Sequence, residues 1–288
     1  MTEIQLDLDV LASSSLSYTY AGVGRPVVRR ISVRNRSSVD IEGLMVKPRV
    51  TILSPTKVAD VWIGSSMPLP PARSDEALHM ESSSPEEFER KCEDQMVYWN
   101  RVTPALYPDV LSRLGEKENA RLVVEILAGD NEEVVAEKSQ DLLLLAGNQW
   151  IEDRFHAASL AAFVMPNSRA VQPIIAKARD LLKDRTGDSS TGGYQSDIPS
   201  FQLPEGERNR SEWIAEAIYD AIRSEEIKYS NPPASWDEIS QKIRTPLTIL
   251  EDKAGTCLDT TVLYASCLAA AGLTPTLFLV PGHAFAGY

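Results

Sequence analysis

The stretch AGTCLDTTVL, residues 254–263, sets a cysteine directly after a threonine and two residues after a glycine, where an apolar segment begins. Thr256 followed by Asp259 is a capping-box pattern: the hydroxyl and the carboxylate each accept from the other residue's backbone N–H. Cys257 is then the first residue of a helix. Leu258, Val262, Ala265 and Ala269 form its inward face, and Gly272 with Pro275 stops it. The positive end of a helix dipole favours a thiolate, the nucleophilic form of the side chain. Cys267, in the middle of the same helix among alanines, reads as a small core residue.

Past the helix, TPTLFLV (274–280) is an apolar β run, Pro281-Gly282 is a turn dipeptide, and His283 opens the second arm of a strand pair. From Cys257 to His283 is 26 residues, one helix and one returning strand. That path can bring an imidazole beside a sulfur, which is what a nucleophile–base pair needs, together with a third group that orients the base. A cysteine and a histidine at this distance also occur as plain packing residues. The helix start, the cap, Gly255 and Gly282 favour the chemical reading. Cys92 and His79 fall in a weakly patterned stretch and read as ordinary surface or half-buried residues.

Two sets of elements must position this pair. The chain opens as β: Ile4, Leu6, Leu8 and Val10 alternate with polar residues, PVVRRISVRN (26–35) follows, and LMVKPRVTIL (44–53) alternates again. ARLVVEILAGDNEEVVAEKS (120–139) reads as two strands split by a Gly-Asp-Asn turn, and LLLLAGNQW (142–150) as a last strand. Residues 66–85 read as a long loop and 85–99 as a short helix. After Trp150 the period becomes helical. Residues 168–184 carry Val171, Ile174, Ile175, Ala178, Leu181 and Leu182 on one stripe, capped by Asn167 or Ser168. Residues 211–227 carry Ile214, Ala217, Ile218, Ala221 and Ile222, with Ser211 as cap.

The totals bound the possibilities. A chain of 288 residues with 43% hydrophobic residues suffices for two cored domains. With 29 basic and 41 acidic residues the net charge is −12, which argues against a nucleic-acid-binding surface spread over this chain. No apolar run is long enough to span a membrane, and the acidic, alternating N-terminus lacks the features of a signal peptide. Three cysteines without a signal fit free thiols in a reducing cytoplasm. No Cys-x-x-Cys pair exists and there are three histidines, so neither a metal nor another cofactor is expected. A Walker-type phosphate loop is absent, so this chain is not itself an ATPase.

The segment GTCLDTTVLYASCLAAAGLTPTLFLVPGHAFAGY (255–288) resembles the core of the transglutaminase-like superfamily, within the wider papain-like cysteine group. Gly255, Cys257, Gly272, Gly282, His283, Ala284 and Phe285 stand at matching places. The resemblance implies Cys257 as nucleophile and His283 as general base and acid. It also makes Gln241 a candidate for the oxyanion hole, against a reading as a polar loop residue. Tyr229 and Trp236 are candidates to line the cleft, or simply pack beside the proline-rich turn. The family's triad ends in an acid on a following strand, and no acid lies in 284–288. That acid is expected downstream of Tyr288, in a domain truncated at its C-terminal end, or is replaced. KYSNPPASW (228–236), QKIRTPLTIL (241–250) and GTCLD further resemble a module found ahead of helicase or ATPase regions in large bacterial proteins, several of them associated with defence against phage.

The expected fold is α+β. Residues 1–149 form an antiparallel, immunoglobulin-like β-sandwich with a loop and helix insertion near 56–119, and residues 150–288 a transglutaminase-like α/β domain. The expected activity is acyl transfer through a Cys257 thioester on a peptide, amide or isopeptide, with water or an amine as acceptor. The rival is a non-catalytic scaffold that binds a partner protein.

Overall fold

Apolar alternation builds the first sheets as the sequence predicts, within the residues that the computed structural model describes: 4–37, 41, 43–151, 157–232 and 240–288. In chain order the N-terminal elements are β1 (Leu6–Ala12), β2 (Ser15–Leu16), α1 (Tyr18–Val23), β3 (Val28–Asn35), β4 (Met45–Leu53), β5 (Trp62–Ile63) and β6 (Met67–Pro68). They continue with α2 (Asp75–Met80), α3 (Pro85–Glu93), β7 (Met96–Val102), α4 (Pro108–Leu111), β8 (Glu118–Ala128) and β9 (Glu133–Leu144). One sheet has the order β1-β3-β7 and is antiparallel; the other has the order β2-β9-β8-β4-β5, with β6 also on β4. The short β2 joins β9 in parallel. β4 buries Val46, Pro48, Val50 and Ile52 and turns Lys47, Arg49 and Thr51 outward, the period-two pattern of a half-buried strand. Ile31 and Val33 from one sheet and Val50, Leu122 and Ile126 from the other belong to one hydrophobic core.

Three segments differ from the sequence expectation. The stretch 85–99, read as a short helix, is helical only over Pro85–Glu93, and its end belongs to β7, where Val97 and Trp99 are buried on alternate positions. The stretch read as a long loop contains β6 and the six-residue α2, whose N-cap Ser74 accepts from Ala77 N; with Leu78 as its one buried residue, this helix is too short to show a period. The run 142–150 is not one strand. Gly147 N donates to Leu114 O at 2.7 Å, and a Cβ on Gly147 would lie 2.2 Å from Ser112 O. Close backbone approach at this glycine ends β9 at Leu144.

The chain divides into two compact units, Met1–Gly147 and Asn148–Tyr288. The second holds β10 (Gln149–Ile151), a 3₁₀ turn at Ala157–Phe163, α5 (Val171–Thr186), α6 (Arg210–Arg223), β11 (Lys228–Tyr229) and β12 (Ser240–Lys242). After these come α7 (Pro246–Asp252), β13 (Ala254–Gly255), α8 (Cys257–Ala270), β14 (Thr276–Val280) and β15 (His283–Gly287). Its core joins four helices: Ile174 and Leu182 of α5, Ile218 of α6, Ile249 of α7, and Leu263, Cys267 and Leu268 of α8. The caps of α5 and α6 differ from those read in the sequence. α5 has Ala170 at its N-cap, while Ser168 Oγ accepts a long 3.4 Å bond from Ala170 N. α6 starts after Asn209, whose side chain is occupied with Ile198, and Asp197 from the preceding loop accepts from Ser211 N at 3.0 Å. An acid brought in from outside the helix supplies the acceptor that a local serine was expected to provide.

Candidate active site

α8 starts where the sequence places it. Lys253 takes a left-handed conformation (φ 50°) after α7, and the chain then runs as β13 alongside β11, pairing Tyr229 with Gly255. The capping box is complete: Asp259 N donates to Thr256 Oγ1 at 3.1 Å, and Thr256 N donates to Asp259 Oδ2 at 2.9 Å. Cys257 is the first helical residue. A Cβ on Gly255 would come within 3.3 Å of Asp259 Cβ, so a larger residue would press on the carboxylate that forms the box.

Asp259 is fully buried and serves as a capping acid, the role preferred for it in the sequence. It does more than cap. Oδ1 accepts from Arg244 N at 2.8 Å, and Oδ2 accepts from Arg244 Nη1 at 3.0 Å. Arg244 Nη2 donates to Asn231 O at 3.0 Å. The apolar face of α8 is wider than the predicted stripe. Leu258, Val262 and Ala265 are buried as expected, but so are Thr261, Leu263, Ser266, Cys267 and Leu268, whereas Ala269 is half-exposed. A helix covered on most sides is a central helix rather than a surface one. At its end Leu273 N donates to Leu268 O across Gly272 (φ 79°), the left-handed cap read from the sequence.

β14 and β15 form the predicted hairpin, with Val280 opposite His283 and Gly282 at φ 74° in the turn. Thr261, one helical turn after Cys257, fixes this hairpin to α8 by donating from Oγ1 to Ala284 O at 2.9 Å. The residue bonded to α8 is thus the direct neighbour of His283. The imidazole lies 6.5 Å from the Phe285 ring, which in turn stacks on Phe278 at 5.0 Å on the outer side of the hairpin.

A cleft of about 200 Å³ brings the predicted residues together: Cys257, His283, Gln241 and Tyr229 all line it. Gln241 comes from β12, which pairs antiparallel with β10 so that Trp150 stands opposite it. Its Nε2 reaches Thr256 Oγ1 at 3.4 Å. Trp236 and His156 lie outside the described residues. His79, edge-on to Phe88, and Cys92 belong to α2 and α3 of the first unit. Sequence reasoning missed Trp150, Pro232 and Leu279 as cleft residues, and Arg244 behind it. Trp150 was visible as an aromatic ending an apolar run. Its role depends on pairing with a strand 91 positions later, at Gln241, which no local pattern announces.

No hydrogen bond joins the Cys257 sulfur to the imidazole, and among the described residues none reaches the His283 side chain. Among the described residues no group of three or more His, Cys, Asp or Glu is arranged to hold a metal ion. No described helix is long and apolar enough to cross a membrane.

Residues 204–285 match the model of a family described as a transglutaminase-like domain. The matched segment runs from just before α6 to the middle of β15 and includes Tyr229, Gln241, Cys257 and His283. No curated protein matches the chain. Among solved structures, a family 76 glycoside hydrolase from a bovine Bacteroides thetaiotaomicron strain matches with a TM-score of 0.20 and 7% identity. That match covers 64% of this chain and 25% of the hydrolase, so the chain spans a quarter of that enzyme's length. A likeness this slight carries no argument about fold or function.

Proposed function

We propose that the second unit is a cysteine-dependent acyl-transfer enzyme acting on a peptide, amide or isopeptide. The carrying observation is the cleft that holds Cys257, at a capped helix start, together with His283 and Gln241. In this reading the thiol proton passes to the His283 imidazole and the sulfur bonds to the substrate carbonyl carbon. The carbonyl oxygen takes the electron pair and is met by the Gln241 amide and by the free N–H groups of the first turn of α8. The C–N bond then breaks, and the amine leaves with the proton held by His283. Water opens the thioester to an acid, or a second amine opens it to a new amide. Unlike a thiol deep in the core, Cys257 is only half-buried.

A scaffold role is the second reading. The observation favouring it is that His283 has no hydrogen-bonded orienting group and no bond to the sulfur among the described residues. Against it stands the general tendency of catalytic hydrogen bonds to tighten only when substrate is bound. Under either reading the two-sheet first unit is proposed as an immunoglobulin-like domain that recognises a partner protein, in the cytoplasm. The resemblance of 228–236 and 241–250 to modules ahead of bacterial helicase or ATPase regions supports placing the chain beside such a region in a phage-defence protein. The net charge of −12 weighs against direct contact with nucleic acid by this chain.

Alkylation by iodoacetamide tests the reading, with Cys92→Ala removing the other half-buried thiol. Cys257 is expected to react at neutral pH faster than a free small-molecule thiol, and His283→Ala is expected to slow it by about 100-fold. A rate equal to that of a free thiol and indifferent to His283→Ala would establish the scaffold.

A further inference from the structure

We infer that Arg244 is a positioning residue: it aligns Gln241 with Cys257 and so sets the strength of oxyanion stabilisation without touching the reacting atoms. The inference rests on the acyl-transfer reading above. Arg244 follows Gln241 by three residues, just past the end of β12. Its backbone N–H and Nη1 both donate to Asp259, in the first turn of α8, at 2.8 and 3.0 Å. Its Nη2 donates to Asn231 O at 3.0 Å, just past the end of β11, between the cleft residues Tyr229 and Pro232. One residue therefore joins the strand bearing Gln241, the helix bearing Cys257 and the loop forming a third wall.

Gln241 has a weak tie of its own to α8, the 3.4 Å contact from Nε2 to Thr256 Oγ1. A bond that long does not fix an amide, and it leaves the N–H free to turn to an oxyanion. The alignment falls instead on the Arg244–Asp259 pair, whose carboxylate is fully buried and whose guanidinium side chain is 14% exposed. A guanidinium suits this task because its planar fork reaches two acceptors in fixed directions, which an ammonium on a flexible stem does not.

Two reactions of the full chain separate positioning from general support. Acylation by p-nitrophenyl acetate forms an S–C bond, passes through an oxyanion, and breaks the C–O bond as p-nitrophenolate leaves with the electron pair. Alkylation by iodoacetamide displaces iodide and forms no oxyanion. Gln241→Ala is expected to slow acylation by about 100-fold, and Arg244→Lys by about tenfold, while alkylation of Cys257 keeps its rate in both. The double variant should be no slower than Gln241→Ala alone, because both changes remove the same donor. Arg244→Ala leaves the buried Asp259 without its cation and endangers folding. Arg244→Lys retains the charge, and a melting curve checks that it is folded. Wild-type acylation with an unchanged rate in Arg244→Lys overturns the positioning role alone, as does an equal loss of acylation and alkylation. A wild-type chain that p-nitrophenyl acetate does not acylate overturns the acyl-transfer reading and the positioning role with it.

Discussion

Burial pushes the Cys267 thiol up to about 12, well above the range where thiolate forms in ordinary buffers. Cys267 is fully buried in the helical core, whereas Cys92 and Cys257 are half-buried. Titration of the native chain with Ellman's reagent is therefore expected to count two thiols, with the third released by denaturant; three fast thiols in the native state would contradict this packing. At this scale the sequence was informative where chemistry is local. Thr256 and Asp259 lie within one turn, so their reciprocal bonds follow from spacing, and Cys257 inherits its place from them. Gly282 and His283 follow from the turn dipeptide. Arg244 was illegible for the opposite reason. Its partners Asn231 and Asp259 lie 13 and 15 positions away on different elements, and an arginine in a polar stretch carries no periodic mark.

The helix α8 serves two purposes, and Thr261 joins them. Its Oγ1–H reaches Ala284 O, so the strand that begins with His283 is held to the helix that begins with Cys257. Thr261→Val keeps the shape and removes the donor. The expected result is a loss of about 1 kcal/mol in denaturant unfolding, together with a slower His283-dependent alkylation of Cys257. If only stability changed, the bond would not position the histidine. Strong local patterns made α5, α6, α8 and the β14–β15 hairpin readable. The pair β10–β12 was not, because each is three residues long and they meet across most of the second unit. The breadth of burial on α8 was hidden too. Thr261 and Ser266 read as polar, but each buries a hydroxyl that donates to a backbone carbonyl, Thr261 to Ala284 O and Ser266 to Val262 O.

Over the whole molecule, carboxylates paired with cations are the main link between stability and pH. Hydrogen bonds from Arg36 and Arg34 hold Asp75 below its ordinary 3.8, and a hydrogen bond from Arg49 holds Glu125 below its ordinary 4.5. A hydrogen bond from Lys253 does the same for Glu225, and bonds from Ser83 hold Glu87 at about 2. Folded values lie below unfolded ones, so the stability these groups confer is complete above about pH 4.5 and is lost as pH falls through the lower folded values. Asp75 is exposed and the other three are half-buried at the surface, so each contributes little and the loss is gradual. Thermal melts are expected to hold a constant midpoint from neutrality down to the ordinary carboxylate range and to decline steadily toward about pH 2. A midpoint that rose on acidification would show that relief of the −12 net charge outweighs these pairs. The change of period near Trp150 was visible in the sequence, since strand alternation and helical stripes differ over any window of a dozen residues. How the strands are shared between two sheets was not, because that order depends on partners far apart in the chain, such as β3 with β7.

The path lengths along the chain separate the parts of the cleft in another respect. Cys257 and His283 are closed by one helix and one hairpin, held by a bond between positions 23 apart, Thr261 and Ala284. Gln241 reaches its place opposite Trp150 only when a segment of 91 positions closes. By the logarithmic dependence of chain entropy on loop length, that closure costs about 1 kcal/mol more than the shorter one. The Gln241 strand, by contrast, is tied to the Cys257 helix through Arg244 and Asp259, only 15 positions apart, so the strand that carries Trp150 is the part of the cleft closed at the greatest entropic cost and the part most exposed to loss by local opening.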